Sequence, residues 1–274
     1  MKIRSRSVAC LTRGQLIPAA IAAVFLTVCT ACSNTPETGS IPAQSDILVA
    51  AASDLRFAFT EVGERFTEST GQEVVFTFGS SGQLREQVIN GAPFDVFASA
   101  NEQFVQDVIA AERGWQDTSR HYASGRIVLR ARDGLAMPNA LSDLVRPNFA
   151  RIAIANPAHA PYGIAAKEAL ESAGVFASVK DKLIFGENVS DTLRLVETGN
   201  VDVAIVALSL VINDQKPYVL VDENLHTPLR QTLVVTRTGK NEEGARRFVE
   251  FLLNPEIAQL METYGFVVPI GEES

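Results

Sequence analysis

Two stretches of this 274-residue chain end an apolar, strand-like run in small and hydroxyl residues and pass at once into a helix pattern. The first is Ala50-Ala51-Ala52-Ser53-Asp54-Leu55 and the second Phe78-Gly79-Ser80-Ser81-Gly82-Gln83-Leu84. A strand that turns into a helix through a serine aims unpaired backbone N–H groups and a hydroxyl at one point, where the positive end of the helix dipole also lies. The chemistry favoured there is the holding of an anion. An ordinary N-cap accounts for Ser81 on its own, but two such corners would both have to be coincidental caps.

Three further corners share the form. Asn156-Pro157-Ala158-His159-Ala160-Pro161-Tyr162-Gly163 follows a strand and precedes a helix. Its prolines fix the loop, Gly163 permits close backbone approach, and Tyr162 offers a phenolic donor, unless it is simply a loop tyrosine. Phe185-Gly186-Glu187-Asn188-Val189-Ser190 opens another helix, so that the Val189 N–H points into a cleft; a glycine turn capped by Ser190 explains the same residues. Val206-Ala207-Leu208-Ser209 ends a further strand.

Other chemistries are weaker. Gly79-Ser80-Ser81-Gly82 lacks the G-x-S-x-G spacing of a nucleophile elbow, and His121, His159 and His226 are scattered singly, which disfavours a serine hydrolase. His159 has no second metal ligand at helical spacing and reads as a loop-stabilising residue. Asp54, just ahead of a strong helix pattern, reads as an N-cap. As the one carboxylate beside the corner, it also keeps open a ligand such as hydrogen phosphate, whose proton needs an acceptor. Arg85, one turn into a helix, is expected to face outward.

The elements that must position these residues alternate strand and helix, the pattern of an α/β fold with largely parallel sheets. Strands are predicted at Ile47–Ala52, Val74–Phe78, Asp95–Ala98, Arg126–Ala131, Arg151–Ala155, Leu183–Phe185, Val201–Val206 and Gln231–Thr236. Helical spacing of apolar residues predicts helices over Leu55–Glu68, Leu84–Ile89, Asn101–Arg113, Ile164–Ala173, Thr192–Glu197, Glu242–Leu253 and Pro255–Tyr264. No repeat is evident in the residues themselves, yet both blocks carry the same kind of corner, as two lobes facing a common cleft would. Residues 46–125 with 209–274 are expected to form lobe one and residues 126–208 an inserted lobe two, with crossings near Arg126–Ala131 and after Val206. Ligands in such sheets bind beyond the carboxyl ends of the strands.

The first 32 residues read as a signal segment: Lys2, Arg4, Arg6 and Arg13 are followed by an apolar run from Leu16 to Val28, shorter than the ~20 residues of a spanning helix. Cys29-Thr30-Ala31-Cys32 is similar to a lipobox, with Cys32 as the residue to be lipidated and residues 33–45 as a flexible tether. The only cysteines are Cys10, Cys29 and Cys32, so nothing after position 32 can form a disulfide or thiolate metal site. The chain holds 24 basic and 32 acidic residues, net −8, and without the four basic residues of the leader the balance is 20 to 32, net −12. That excludes a nucleic-acid binder. It also means that local N–H and O–H dipoles, and not long-range attraction, must capture an anion.

The ordered motifs A-A-A-S, F-x-S-S-x-x-L, G-A-P-x-D-V-F, N-P-x-H-x-P-x-G, E-N-V and a terminal Y-G-F, running from Ile47 to Val268, resemble the periplasmic molybdate-binding proteins of ABC importers. The resemblance implies a two-lobed, type II periplasmic-binding-protein fold with mixed, mostly parallel sheets that closes over a tetrahedral dianion in the interlobe cleft. It implies a binding protein and not an enzyme, working with an inner-membrane ABC permease, with no cofactor and no direct protein–metal ligand; a monomer is expected. Matching positions carry the oxyanion contacts to Ser53, Ser81, Tyr162 and Val189. A tyrosine that some members supply from the last lobe-two strand aligns with Ala207, and the Tyr162 phenol is expected to replace it. Molybdate and tungstate are fully ionised at neutral pH and need donors only; sulfate, phosphate or a small organic anion on the same fold is the alternative.

Overall fold

The computed structural model describes residues 45–269. The leader, Cys32 and nearly all of the tether lie outside the described residues. Among the described residues no helix is long and apolar enough to cross a membrane.

Six consecutive apolar residues, Ile47–Ala52, form β1, and an unbroken run of this kind marks a strand covered on both faces. A 3₁₀ turn at Ser53–Leu55 leads into α1 (Arg56–Thr70), which stops at Gly71 in the left-handed conformation (φ 74°). β2 (Val74–Gly79), α2 (Ser81–Ile89), β3 (Val96–Ser99) and α3 (Glu102–Ala110) follow. β4 (Arg120–Gly125), which the sequence pattern did not mark, then runs without a loop into β5 (Ile127–Ala131). Next come β6 (Ile152–Ala155), α4 (Pro161–Ser172), the short α5 (Phe176–Val179), β7 (Leu183–Gly186), α6 (Val189–Glu197) and β8 (Val203–Ala207). The chain ends with β9 (Val219–Leu220), β10 (Leu229–Val235), α7 (Glu242–Leu252) and α8 (Pro255–Thr263).

These strands make two five-stranded sheets, ordered β2-β1-β3-β10-β4 and β7-β6-β8-β5-β9. In each, three strands pair in parallel (β2-β1-β3 and β7-β6-β8) and the fourth, β10 or β5, is antiparallel to both of its neighbours. The chain leaves the first sheet at Gly125–Arg126. The return differs from expectation: β9 pairs with β5 in the second sheet, so that half of the fold runs past Ala207 to Leu220, and the chain crosses back only before Leu229. A two-residue strand carries too little periodicity to be read. Buried Arg130 holds the intervening segment, pairing with Asp214 and donating to the carbonyls of Lys216 (2.7 Å) and Pro217 (3.1 Å).

One apolar cluster runs through both sheets; its first-sheet part packs α1, α7 and α8 around Phe59, Phe66 and Phe248, whose rings meet edge to face. The other face of the first sheet is closed by Leu84 and Val88 of α2 with Val105 and Val108 of α3. Removing these side chains from water contributes about 1.5–3 kcal/mol each.

Three helices begin earlier than their apolar periodicity indicates. α2 starts at Ser81 instead of Leu84, α4 at Pro161 instead of Ile164, and α6 at Val189 instead of Thr192. Ser81, Tyr162 and Val189 therefore sit inside first turns, where amides have no acceptor four residues back. Pro161, with no N–H to leave unpaired, suits the first helical position.

Gly163 sets the seat of α4 on the end of β6: a Cβ there would lie 2.1 Å from the Ala155 carbonyl oxygen. Gly163→Ala is expected to destabilise the fold by about 2–3 kcal/mol, as overpacking against backbone does. Urea unfolding checks this, and an unchanged midpoint would show that the close approach carries no weight.

Candidate functional site

Four chain corners meet where the two sheets face each other. From the first sheet come Ser53, at the end of β1, and Ser81, the first residue of α2; from the second come Tyr162, in the first turn of α4, and Val189, the first residue of α6. All four are buried and line one small cavity, whose remaining wall includes the small residues Ala52, Gly79 and Ala100. Sites for drug-sized organic ligands start at roughly 300 Å³, so this one suits a small inorganic guest.

The serine hydroxyls are set up as donors. Ser81 Oγ accepts from the Ala100 N–H at 3.2 Å, and Ser53 Oγ from the Ser190 N–H at 3.4 Å. With a lone pair of each already engaged, their hydrogens remain to be given elsewhere. Ser81 is thus no helix cap: the N-cap position of α2 is Ser80, which makes no capping bond. Among the described residues the first-turn amides of Ser81, Tyr162 and Val189 have no partner outside their own helices. Asn188 caps α6 by accepting from the Asp191 N–H at 3.0 Å, which leaves the Val189 N–H uncommitted.

The halves are joined around this point. Ser190 Oγ donates to the Ser53 carbonyl (2.9 Å), Ser209 Oγ to the Asp54 carbonyl (2.8 Å), and Gly82 N–H and Ser80 Oγ both to the His159 carbonyl (2.9 and 2.7 Å). His159 also has its ring Nδ1 2.9 Å from Ser80 Oγ, so it fastens a loop. Among the described residues no cluster of three metal-ligating side chains occurs.

Asp54 is not the N-cap of α1. That position belongs to Leu55, and the Asp54 side chain turns into the protein, where the residue is 1% exposed. Its Oδ2 accepts from the Tyr162 hydroxyl (3.0 Å) and from Gln231 Nε2 (2.6 Å), while its Oδ1, the Gln231 Oε1 and the Tyr122 hydroxyl have no partner among the described residues. Burial pushes the Asp54 carboxyl up to about 7, against the opposing hydrogen bonds from Tyr162, its own backbone and Gln231. Burial, with the Asp54 charge, also drives the Tyr122 and Tyr162 phenols well above their usual value, so both are neutral donors.

This geometry corrects the role expected for the Tyr162 side chain. Its hydroxyl hydrogen is committed to Asp54, and a Cβ on Gly125 would lie 2.2 Å from that oxygen. What Tyr162 leaves free at the cavity is its backbone N–H. Ala207 is fully buried at the end of β8. Arg85 faces away, as expected, pairing with Glu86 (2.5 Å) and Asp107 (2.8 Å) beside Phe104. The sequence reading missed Gln231, whose signal was a polar residue inside an apolar strand.

Open grooves lie along the outer faces of α1 and α6, but their cations are engaged: Arg194 pairs with Asp191, Arg65 with Glu61, and Arg56 lies 5.1 Å over the Phe78 ring. The small cavity at the four corners is the place where free donors converge.

Residues 47–267 match the family model described as bacterial extracellular solute-binding protein. The chain is 32% identical over 229 residues to the molybdate-binding protein ModA of Rhodobacter capsulatus, covering 82% of this chain and 89% of that protein. It is 30% identical over 248 residues to the putative ABC transporter substrate-binding lipoprotein YvgL of Bacillus subtilis (strain 168), covering 88% and 94%. The solved structure of the Azotobacter vinelandii periplasmic molybdate-binding protein is similar with a TM-score of 0.77 at 25% identity, covering 82% of this chain and all of that one. The family match begins at the first residue of β1 and ends beyond α8, leaving no strand of either sheet outside it, and the chain belongs to the family of bacterial extracellular solute-binding proteins.

Proposed function

We propose that this protein captures molybdate or tungstate between its two halves and delivers it to an ABC-type permease. The observation that carries the reading is the convergence of unpaired first-turn amides and two free serine hydroxyls on one small cavity without a cation. A fully ionised tetrahedral dianion needs only donors, and with Asp54 neutral, donors are what the cavity presents. Neutral dipoles suffice there because a low dielectric strengthens each hydrogen bond. The names of the relatives as molybdate-binding proteins point the same way.

Ser53 and Ser81 supply hydroxyls from the first half; Tyr162 and Val189 supply backbone N–H groups from the second. An anion bound to all four favours the form in which the halves meet, and the permease distinguishes that form from an open one, a population shift set by differential affinity. Residues 1–32 act as an export signal, and a diacylglyceryl group on Cys32 holds the mature monomer at the membrane through the tether of residues 33–45. The lipoprotein name of the Bacillus relative supports that anchoring.

A thermal-shift panel tests the ligand. Molybdate or tungstate at a hundred times its dissociation constant is expected to stabilise the protein by ~2.7 kcal/mol, and sulfate and phosphate at equal concentration by less. No shift with either metal oxyanion refutes the reading.

Calorimetry on variants tests the donors. Ser81→Ala removes a charge-assisted hydrogen bond of about 1.5–3 kcal/mol and is expected to weaken molybdate binding roughly ten- to a hundredfold. Tyr162→Phe keeps the backbone N–H and is expected to cost far less than Ser81→Ala. A loss in Tyr162→Phe equal to that of Ser81→Ala would return the phenol to the ligand.

A further inference from the structure

We propose that Asp54 takes up one proton when the oxyanion binds, so that the cavity accommodates an anion and a proton together; this rests on the oxyanion reading above. Asp54 lines the cavity, is buried, and has one carboxyl oxygen with no partner among the described residues. Its other oxygen is held only by the neutral donors Tyr162 and Gln231.

Nothing around it supplies a compensating positive charge. Tyr162 faces it from α4 and Tyr122 from β4, both uncharged phenols, and β10 contributes the neutral amide of Gln231. β2 has no ionisable residue, and the 3₁₀ turn Leu208–Leu210 offers only the Ser209 hydroxyl, bonded to the Asp54 carbonyl. On α1, Arg56 lies over Phe78; on α6, Asp191 and Arg194 pair with each other; on β10, Arg230 pairs with Glu102. His121 of β4 is 3.5 Å from Ser124. Among the described residues Asp54 has no salt bridge.

A dianion and an ionised carboxylate in one dry cavity repel strongly, because little solvent screens them. The repulsion is relieved if the carboxylate is protonated. Binding then favours protonation, and protonation favours binding by the same factor. With the two halves together and no anion bound, the protein is already poised for this exchange, since burial, against the opposing hydrogen bonds, has moved the Asp54 carboxyl up to about 7. The sign follows. Below that value Asp54 already carries its proton, and affinity is independent of pH; above it each binding event must draw a proton from solvent, and affinity falls as pH rises.

Isothermal titration of the full chain with sodium molybdate, in two buffers of different ionisation enthalpy, reads the proton directly. Uptake of about one proton per anion at about pH 8 and about a tenth of a proton at about pH 6 is expected, with affinity about tenfold weaker at the higher pH. In Asp54→Asn the uptake is expected to vanish and the affinity to be equal at both pH values, a change that a merely structural role for the carboxyl would not cause. Should that variant fail to fold, the wild-type measurement decides alone. Binding without proton uptake at the higher pH overturns the inference and leaves the oxyanion reading standing, whereas uptake that persists in Asp54→Asn places the proton elsewhere and also overturns it. Absence of any binding of molybdate or tungstate overturns both.

Discussion

An amide in the first turn of a helix has no acceptor within that helix, and in this molecule four strand-to-helix corners bring such turns to a single cavity. Leaving buried donors unpaired costs ~1–3 kcal/mol each, so the arrangement is costly unless oxygen-rich matter fills it. Much else in the fold serves the convergence. The parallel strands of both sheets must present their carboxyl ends to each other, and the corners must be lined by Ala52, Gly79 and Ala100 so that backbone can come close to a guest. Gly163 lets α4 start against the end of β6. No corner suffices alone, since each is also a legitimate helix start.

The two halves reach this arrangement by the same plan. β1, β2, β3, β10 and β4 occupy in the first sheet the places of β6, β7, β8, β5 and β9 in the second. A buried aspartate pins each half at an equivalent point. Asp95, just before β3, accepts from the N–H groups of Leu48, Lys240 and Asn241 at 2.7–2.8 Å. Asp202, just before β8, accepts from the N–H groups of Ala150 and Arg151 and from the Arg132 guanidinium. Burial raises the Asp202 carboxyl, but these donors carry it below the usual carboxylate range. Asp54 has the opposite outcome, because it is far more deeply buried, its two side-chain donors are neutral and one oxygen has none. Depth of burial and donor supply together separate Asp54 from Asp202.

Much of this was legible in the residues. The alternation of apolar runs with helical spacing located most strands and the long helices, and the serine corners located the cavity, because hydroxyl and small residues at a strand end have a direct physical consequence. Helix starts were displaced by three residues at Ser81, Pro161 and Val189, since periodicity registers only where apolar side chains begin, while the backbone enters the helix earlier. β9 and the late return to the first sheet were hidden because pairing across 90 residues leaves no local signature. Asp54 was misread for a related reason. Its position ahead of a helix argues for a cap, and only the long-range approach of Tyr162 and Gln231 turns it inward.

That approach ties the charge of Asp54 to the meeting of the two halves. Gln231 belongs to the first sheet and Tyr162 to the second half, so the Tyr162–Asp54 hydrogen bond exists only while the halves are together. Separating them would weaken the carboxyl's hold on its proton, so an ionised Asp54 favours the open form and a protonated one the closed form. On the proposed reading the anion acts on the same equilibrium, since half of its proposed donors come from each side and only the closed form offers them all. A chain with a net charge of −8 gains nothing from long-range attraction to an anion. On the proposed reading it gains affinity by making closure, the protonation of Asp54 and the pairing of the first-turn amides one event. On the same reading, opening at a permease reverses all three together, which is how a tightly held anion can be given up.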